Sequence, residues 1–269
     1  MGEDALGAAL GTLAVGEDGV ARGEIPASWA QGRASFGGLV LAVALRAMRA
    51  RVPADRETRS LLCAFVGPLS PGAVAVDVRE LRAGRAATHV HAIVRQGDAV
   101  AASVSGVFGS ARPSGVVKGS ALASPPPARE GLIPLRYLEG VTPRFTRHFE
   151  YAFTPRSLPF QGGGEGGLEG WCRLPEARGV AADELVAALV DAWPTAVLPM
   201  LKTPAPASSL TWAIDFVPHA PASSPDAWWW YASTLDAARD GYAQADARLY
   251  TAEGELAALS RQSMVVFDG

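Results

Sequence analysis

Alternation of small apolar and polar residues along the chain predicts long antiparallel strands. The runs 84-GRAATHVHAIVRQGDAVAASVSGVF-108 and 241-GYAQADARLYTAEGELAALSRQSMVVF-267 alternate on both arms and turn at a glycine, which is typical of a β-hairpin. Two further predicted strands precede each hairpin, in 59-RSLLCAFVGPLSPGAVAVDVREL-81 and 208-SSLTWAIDFVPHAPASSPDAWWWYASTL-235. The same plan therefore occurs twice, which predicts an internal duplication.

Upstream of the strands, each copy contains a helical pattern. The stretch 37-GGLVLAVALRAMRARV-52 predicts one long, mostly apolar helix. In the second copy, 183-DELVAALVDAWPTAVLPML-201 has helical periodicity, but Pro194 and Pro199 interrupt it. Proline is well tolerated only in the first turn of a helix. The pattern therefore predicts a short helix, a break near Asp191 and a new helix that begins there.

A small hairpin is predicted before each helix, at about 11–25 in the first copy and in 147-RHFEYAF-153 with 170-GWCRL-174 in the second. One apolar helix wrapped by a curved antiparallel sheet is the hot-dog arrangement, and two such halves that join edge to edge protect their strand edges. The predicted fold class is α+β, a double hot-dog of two tandem repeats. We expect an N-terminal repeat at 1–110, a linker rich in Pro, Ser and Gly at 111–143, and a C-terminal repeat at 144–269.

Composition excludes several classes of protein. The 269 residues are 49% hydrophobic and 19% charged, which is typical of a globular chain. A net charge of -3 argues against a broad basic surface for nucleic acid. The two cysteines, Cys63 and Cys172, form neither a disulfide framework nor a zinc motif, so buried free thiols are expected. No metal or cofactor is expected.

The chain shows no targeting or membrane signal in its sequence. The first residues carry acids where a signal peptide needs basic residues. The longest apolar helical stretch is interrupted by Arg46 and is too short to span a bilayer. We therefore expect a cytoplasmic protein with no membrane partner, and a homodimer.

Several segments together resemble the TesB-like acyl-CoA thioesterases. Their order and spacing match the family over nearly the whole chain outside the linker. The resemblance implies hydrolysis of an acyl-CoA substrate to free fatty acid and CoA by an activated water, with no cofactor. The segments are 36-FGGLVLAVALRA-47, 59-RSLLCAFVGPLSPG-72 and 80-ELRAGRAATHVHAIVRQGDAVAASVSGVF-108 in the first half, and 190-VDAWPTAVLP-199, 208-SSLTWAIDF-216 and 258-ALSRQSMVV-266 in the second.

In that family an Asp, a Ser or Thr hydroxyl and a Gln of the second half hold the water. The resemblance puts these roles on Asp191, Ser209 and Gln262, while Ser208 and Thr211 stay open as alternatives to Ser209. An Asp at the start of a helix is held as a carboxylate by unpaired N–H groups. We therefore expect Asp191 to be a weak base that mainly orients the water.

The remaining site predictions concern the oxyanion and the substrate. Gly37 and Gly38 open the first helix, where backbone N–H groups are free and a carbonyl can approach closely, so they are predicted donors to the developing oxyanion. Trp193 is the predicted wall of the acyl site. Arg82 and Arg85 are predicted to contact the CoA phosphates, although a solvated turn explains them equally well.

Alignment of the two copies predicts a single site per chain. It places Gln262 opposite Ser105 and Asp191 opposite the glycine pair 37–38, so the first copy lacks both the amide and the carboxylate. A serine hydrolase is excluded because no GxSxG sequence occurs. A hydratase needs a histidine beside the acid, which the sequence around Asp191 lacks. The alternative is a non-catalytic acyl-CoA or acyl-chain binding protein of the same fold.

Overall fold

A single antiparallel sheet dominates the computed structural model, which describes residues 5–119, 121–218, 224 and 226–267. The helices are α1 (Leu6–Gly11), α2 (Gly37–Arg49) and α3 (Ala182–Asp191), with 3-10 turns at Ala27–Trp29, Arg144–His148, Pro155–Ser157 and Leu198–Met200. The first strands are β1 (Ala14–Val15), β2 (Ala21–Ile25), β3 (Ala30–Gln31), β4 (Ala34–Ser35), β5 (Glu57–Phe65), β6 (Gly72–Ala83), β7 (Ala87–Gln96) and β8 (Ala99–Gly109). The others are β9 (Ile133–Leu135), β10 (Glu150–Phe153), β11 (Glu169–Arg173), β12 (Ala207–Phe216), β13 (Trp229–Arg239), β14 (Tyr242–Tyr250) and β15 (Leu256–Val266).

The order of strands confirms the duplication. In the described part, the sheet has the order β1-β2-β6-β7-β8-β5-β12-β15-β14-β13-β11-β10-β9, while β3 and β4 form a separate hairpin. Outward from the centre, β5-β8-β7-β6-β2 on one side repeats as β12-β15-β14-β13-β11 on the other. The two halves join edge to edge through β5 and β12, where Leu62 pairs with Ala213. The predicted double hot-dog is therefore correct.

The helices lie on the inner face of this sheet. Ten of the 13 residues of α2 are buried, as the apolar sequence of this helix predicts. The helix α3 ends at Asp191, and the chain continues through a turn to the 3-10 helix Leu198–Met200. The prediction of a new helix that begins at Asp191 is wrong, because Pro194 disfavours helical backbone at the residue before it. The short helix α1 was not predicted, since six residues are too few to show a period.

Part of the predicted linker packs against the C-terminal repeat. Leu122 N donates to Gly254 O at 3.0 Å, and Trp171 Nε1 donates to Pro127 O at 2.8 Å. Further on, β9 pairs with β10. From Ala121 onward this segment is therefore attached to the outer surface of the second repeat.

Two ion pairs connect the repeats through α2 and α3, which run antiparallel. Arg46 Nη2 donates to Glu184 Oε2 at 2.7 Å, and the side chain of Glu184 is only 1% exposed. One turn further along, Arg49 pairs with Asp183, whose carboxylate also accepts the hydroxyl of Thr58. A buried carboxylate needs such partners, because its charge is otherwise desolvated without compensation.

The Arg46–Glu184 pair predicts a measurable effect on stability. Replacing Arg46 with Met leaves Glu184 buried without its cation, so we expect the free energy of unfolding in denaturant to fall by about 3 kcal/mol. The control is Arg22→Met, because the Arg22–Asp18 pair is more than half exposed and exposed pairs contribute little to stability. Equal losses in the two variants would contradict the stabilising role of the buried pair.

Candidate active site

Asp191 and Gln262 meet at the junction of the two repeats. Gln262 Nε2 donates to Asp191 Oδ1 at 3.1 Å. The register of the sheet positions the amide, because Cys63, Trp212 and Gln262 form one row across β5, β12 and β15. The carboxylate reaches the same point from the last residue of α3. Two residues that are 71 positions apart are thus brought into contact.

The start of α2 faces the same carboxylate. The backbone N–H of Gly38 donates a hydrogen bond to Asp191, and a Cβ atom built on Gly37 would lie only 2.7 Å from Asp191 Oδ2. The N–H of Gly38 is therefore engaged by the carboxylate, contrary to the prediction that it is a free oxyanion donor. The helix N-terminus that contacts Asp191 is that of α2, in the first repeat. Asp191 itself is the last residue of α3, in the second repeat.

The electrostatics of Asp191 differ from the prediction. Burial raises the pKa of Asp191 from its ordinary value of 3.8 to about 7, although the hydrogen bonds from Gln262 and Gly38 oppose this shift. The expectation of an ordinary, helix-stabilised carboxylate is wrong, because the desolvation of the carboxylate outweighs the hydrogen bonds that favour its charged form. The residue as a whole is of intermediate exposure. A pKa near the working pH is what a general base needs.

Two buried side chains near the carboxylate, Cys63 and Tyr151, stay protonated at neutral pH because burial raises the pKa of both. Cys63 is a free buried thiol, and burial, with the nearby charge of Asp191, raises its pKa to about 12. It is therefore no thiolate nucleophile. Tyr151 Oη donates to Ala192 O at 2.9 Å and so holds the turn after Asp191. The sequence predicted only a strand at Tyr151, because this contact is with a residue 41 positions away.

The register distinguishes the three candidate hydroxyls. Ser209 pairs with Met264, which is buried and lies two residues after Gln262 on the same strand. Cross-strand partners, and residues two apart, share a face of a sheet, so Ser209 is on the side of Gln262. Thr211 lines a groove on the outer face, and Ser208 pairs with Val265 on that side. No hydrogen bond joins Ser209 to either other member of the trio in the described structure.

Trp193 lies close to the predicted site, whereas the two arginines do not. The indole of Trp193 stacks on Tyr231 with ring centroids 4.8 Å apart, and both line a small cavity together with Gln262. Arg82 and Arg85 flank Gly84, whose carbonyl accepts a hydrogen bond from Arg56 just beyond the C-terminus of α2. The two arginines therefore lie near the C-terminus of α2, whereas Gly37 is at its N-terminus. The two ends of this 13-residue helix are about 18 Å apart.

The first repeat has no equivalent of Gln262. A β-bulge follows Thr58 in β5 and Ser209 in β12. If the bulges are superposed, Leu61 corresponds to Trp212, and their strand partners Gly106 and Gln262 correspond to each other. The predicted counterpart, Ser105, is one residue away and on the outer face, where its hydroxyl lies 3.1 Å from His91 Nδ1. The predicted alignment is thus out of register by one residue, and a shift of one residue along a strand moves a side chain to the other face of the sheet.

The described residues offer neither a metal cluster nor a membrane-spanning helix. The described ranges contain no group of three or more His, Cys, Asp or Glu side chains arranged to hold a metal ion. Within the same ranges, no helix is both long and apolar enough to cross a membrane.

Solved structures with low sequence identity share the fold. A conserved protein with a hot-dog fold from Alicyclobacillus acidocaldarius matches with a TM-score of 0.81 at 19% identity, over 98% of this chain and 97% of its own. TesB2, an acyl-CoA thioesterase II from Mycobacterium marinum, matches with a TM-score of 0.73 at 19% identity, over 96% and 95%. The TesB protein of Mycobacterium avium subs paratuberculosis gives 0.74 at 22%, over 97% and 99%. No curated protein matches the chain.

Family models assign each repeat separately. The model of the acyl-CoA thioesterase N-terminal domain matches residues 25–109, and that of the acyl-CoA thioesterase C-terminal domain matches residues 121–266. Together they cover most of the chain and include every residue of the Asp191 site. The chain therefore belongs to the acyl-CoA thioesterase family, with one domain of each kind, and is a thioester hydrolase.

Proposed function

We propose that this protein hydrolyses an acyl-CoA to a free fatty acid and CoA, with a water molecule held by Asp191, Ser209 and Gln262 as the nucleophile. The hydrogen bond from Gln262 Nε2 to Asp191 Oδ1 carries this proposal, since it joins a carboxylate and an amide at 3.1 Å. Such a pair can accept one hydrogen of a water molecule and orient its lone pair. The raised pKa of Asp191 suits proton abstraction near neutral pH.

The reaction then needs few further groups. Asp191 takes a proton from the water while the water oxygen bonds to the thioester carbon. The carbonyl oxygen gains negative charge, and the N–H of Gly37, in the first turn of α2, is the proposed donor to it. The C–S bond then breaks, and the proton passes from Asp191 to the departing sulfur. The buried thiol of Cys63 takes no part in this sequence.

Four expectations remain predictions. Trp193 is proposed as a wall of the acyl site, on the basis of its place beside Gln262. Arg82 and Arg85 lie far from the carboxylate, so they are candidates only for the nucleotide end of CoA. Assembly as a homodimer and a cytoplasmic location likewise stay predictions.

Replacement of Gln262 tests the hydrolytic role directly. For Gln262→Ala we expect kcat, measured by release of free CoA thiol from short, medium and long acyl-CoAs, to fall by roughly 100-fold, because the water loses its orienting amide. The Kd for a non-hydrolysable thioether analogue should change little. Gln244→Ala is the matched control, since Gln244 pairs with Ser263 on the outer face. If the wild type bound the analogue but released no thiol from any acyl-CoA, it would be a binding protein only.

The raised pKa of Asp191 predicts the dependence on pH. The base must be deprotonated, so kcat/KM should rise about tenfold per pH unit below about pH 7 and level off above it. In Asp191→Asn, the residual kcat/KM should not show this rise with pH. A wild-type profile that stays flat from pH 5 to 8 would show that a different group is the base.

Gly37 predicts a steric effect on catalysis. In Gly37→Ala the new methyl group would lie 2.7 Å from Asp191 Oδ2 and 3.2 Å from the ring of Phe65, so the carboxylate must move. A shift of about 1 Å can cost 100-fold in rate, and we expect a loss of that order in kcat/KM with a small change in Tm. Gly11→Ala is the control, because no atom lies within 4 Å of its added Cβ. Wild-type activity in Gly37→Ala would refute the close contact.

A further inference from the structure

The chain that follows Asp191 has no regular structure to hold the carboxylate in place. Residues 192–197, all of them described, form neither helix nor strand, because α3 ends at Asp191 and Pro194 disfavours its continuation. The last carbonyl groups of a helix also have no partner within the helix. The position of Asp191 therefore depends on contacts from other parts of the fold.

The hydroxyl of Tyr151 makes one of these contacts. Tyr151 Oη donates to Ala192 O at 2.9 Å, and Ala192 is the C-cap of α3. Because Tyr151 is only 3% exposed, little water can replace this hydrogen bond. Tyr151 lies on β10, which pairs with β9 on one side and β11 on the other. A strand that is held on both edges thus anchors the carbonyl directly after Asp191.

The next residue, Trp193, is held by three aromatic rings. It packs edge to face against Tyr151, with ring centroids 5.8 Å apart. The ring of Phe153 lies 4.8 Å away, and Tyr231 stacks on the indole at 4.8 Å. Tyr151 therefore contacts both residues that follow Asp191, one through its hydroxyl and the other through its ring.

The phenol of Tyr151 is not suited to act on the substrate itself. Burial raises its pKa well above the ordinary value of 10, and the nearby charge of Asp191 adds to the shift. The phenol thus stays neutral, and its proton is used in the bond to Ala192 O. A neutral group that is engaged in this way can orient the turn but cannot serve as the acid or base.

The first repeat has no such group at the corresponding place. In the sheet, β1 lies beside β2 as β10 lies beside β11. The strand β1 consists of Ala14 and Val15, which are both exposed and carry no hydroxyl. The anchor therefore occurs in the repeat that carries Asp191, as a role in positioning this carboxylate requires.

We propose that Tyr151 is a positioning residue for hydrolysis, because its hydroxyl holds the turn at Ala192 and thereby keeps the carboxylate of Asp191 at the amide of Gln262. This inference rests on the proposed role of Asp191 as the base. A misplacement of about 1 Å can cost about 100-fold in rate. Loss of one anchor of the turn, with the ring contacts kept, should cost less than that.

Tyr151→Phe in the full chain tests the proposal, since it removes the hydroxyl and keeps the ring against Trp193. We expect kcat to fall roughly tenfold with little change in KM, because the hydroxyl acts on the base and not on substrate binding. Release of free thiol is measured with butanoyl-, octanoyl- and hexadecanoyl-CoA, and the chain length that the wild type cleaves fastest is used. All rates are taken well below the lowest Tm of the set, so that unfolding does not contribute.

Thr154→Val is the matched control. Thr154 directly follows β10, and its buried hydroxyl donates to Ser157 Oγ at 2.8 Å. The variant therefore also loses a buried hydrogen bond, and its Tm should fall as in Tyr151→Phe. Its kcat should stay at the wild-type value. A tenfold loss of kcat in Thr154→Val as well would show that the effect is general destabilisation and would overturn the positioning role.

A double-mutant cycle shows whether Tyr151 acts through Asp191. In the Asp191→Asn background, Tyr151→Phe should change the residual kcat by less than about twofold, because residues that act through one another are not additive. A tenfold loss in both backgrounds, or wild-type kcat in Tyr151→Phe alone, would overturn the inference while the thioesterase activity stands. If the folded wild type releases no thiol from any of the three substrates, the proposed function fails and the inference fails with it.

Discussion

One buried carboxyl, held between the ends of two helices, is the constraint on which the site depends. Asp191 ends α3 and meets the N–H of Gly38 at the start of α2. Because burial raises its pKa to about 7, folding favours the protonated form of this carboxyl. Below the unfolded pKa near 4, Asp191 is protonated in both states and does not change the free energy of unfolding. As the pH rises from there to about 7, this group lowers the free energy of unfolding progressively. At neutral pH the buried Asp191 therefore destabilises the folded protein, on the order of a few kcal/mol. The same burial gives its carboxylate the pKa of a general base.

The duplicated fold provides two such helix junctions and uses them differently. At one end of the α2–α3 pair, a helix N-terminus, a carboxylate and the amide of Gln262 converge. At the other end, Arg49 pairs with Asp183, and Thr58 donates to the same carboxylate. There the charges are neutralised, so that junction stabilises the contact between the repeats. Approximate symmetry of the backbone is thus compatible with a single reactive site, because side chains decide whether a buried charge is paired.

Sequence periodicity predicted the order of strands and the duplication well, since alternation depends on local burial. It failed at single-residue register and at the end of a helix. The two copies were aligned one residue out of register, and the pairing of strands shows that the counterpart of Gln262 is Gly106 and not Ser105. The pattern around Asp191 showed a break in the helix, but a proline three residues later also fits a new helix start. Only the packed chain shows that α3 ends there.

The order of residues was enough to specify the two-repeat α+β architecture, the apolar helix α2 and the residue types offered to the site. Packing of the folded chain was needed to establish which of them meet, which amide Asp191 uses and how far its pKa moves. Packing also brought the hydroxyl of Tyr151 to the turn that follows Asp191. The physical reason is that local patterns report burial along one segment. Desolvation and hydrogen bonding depend instead on atoms that are distant along the chain, such as the amide 71 residues after Asp191.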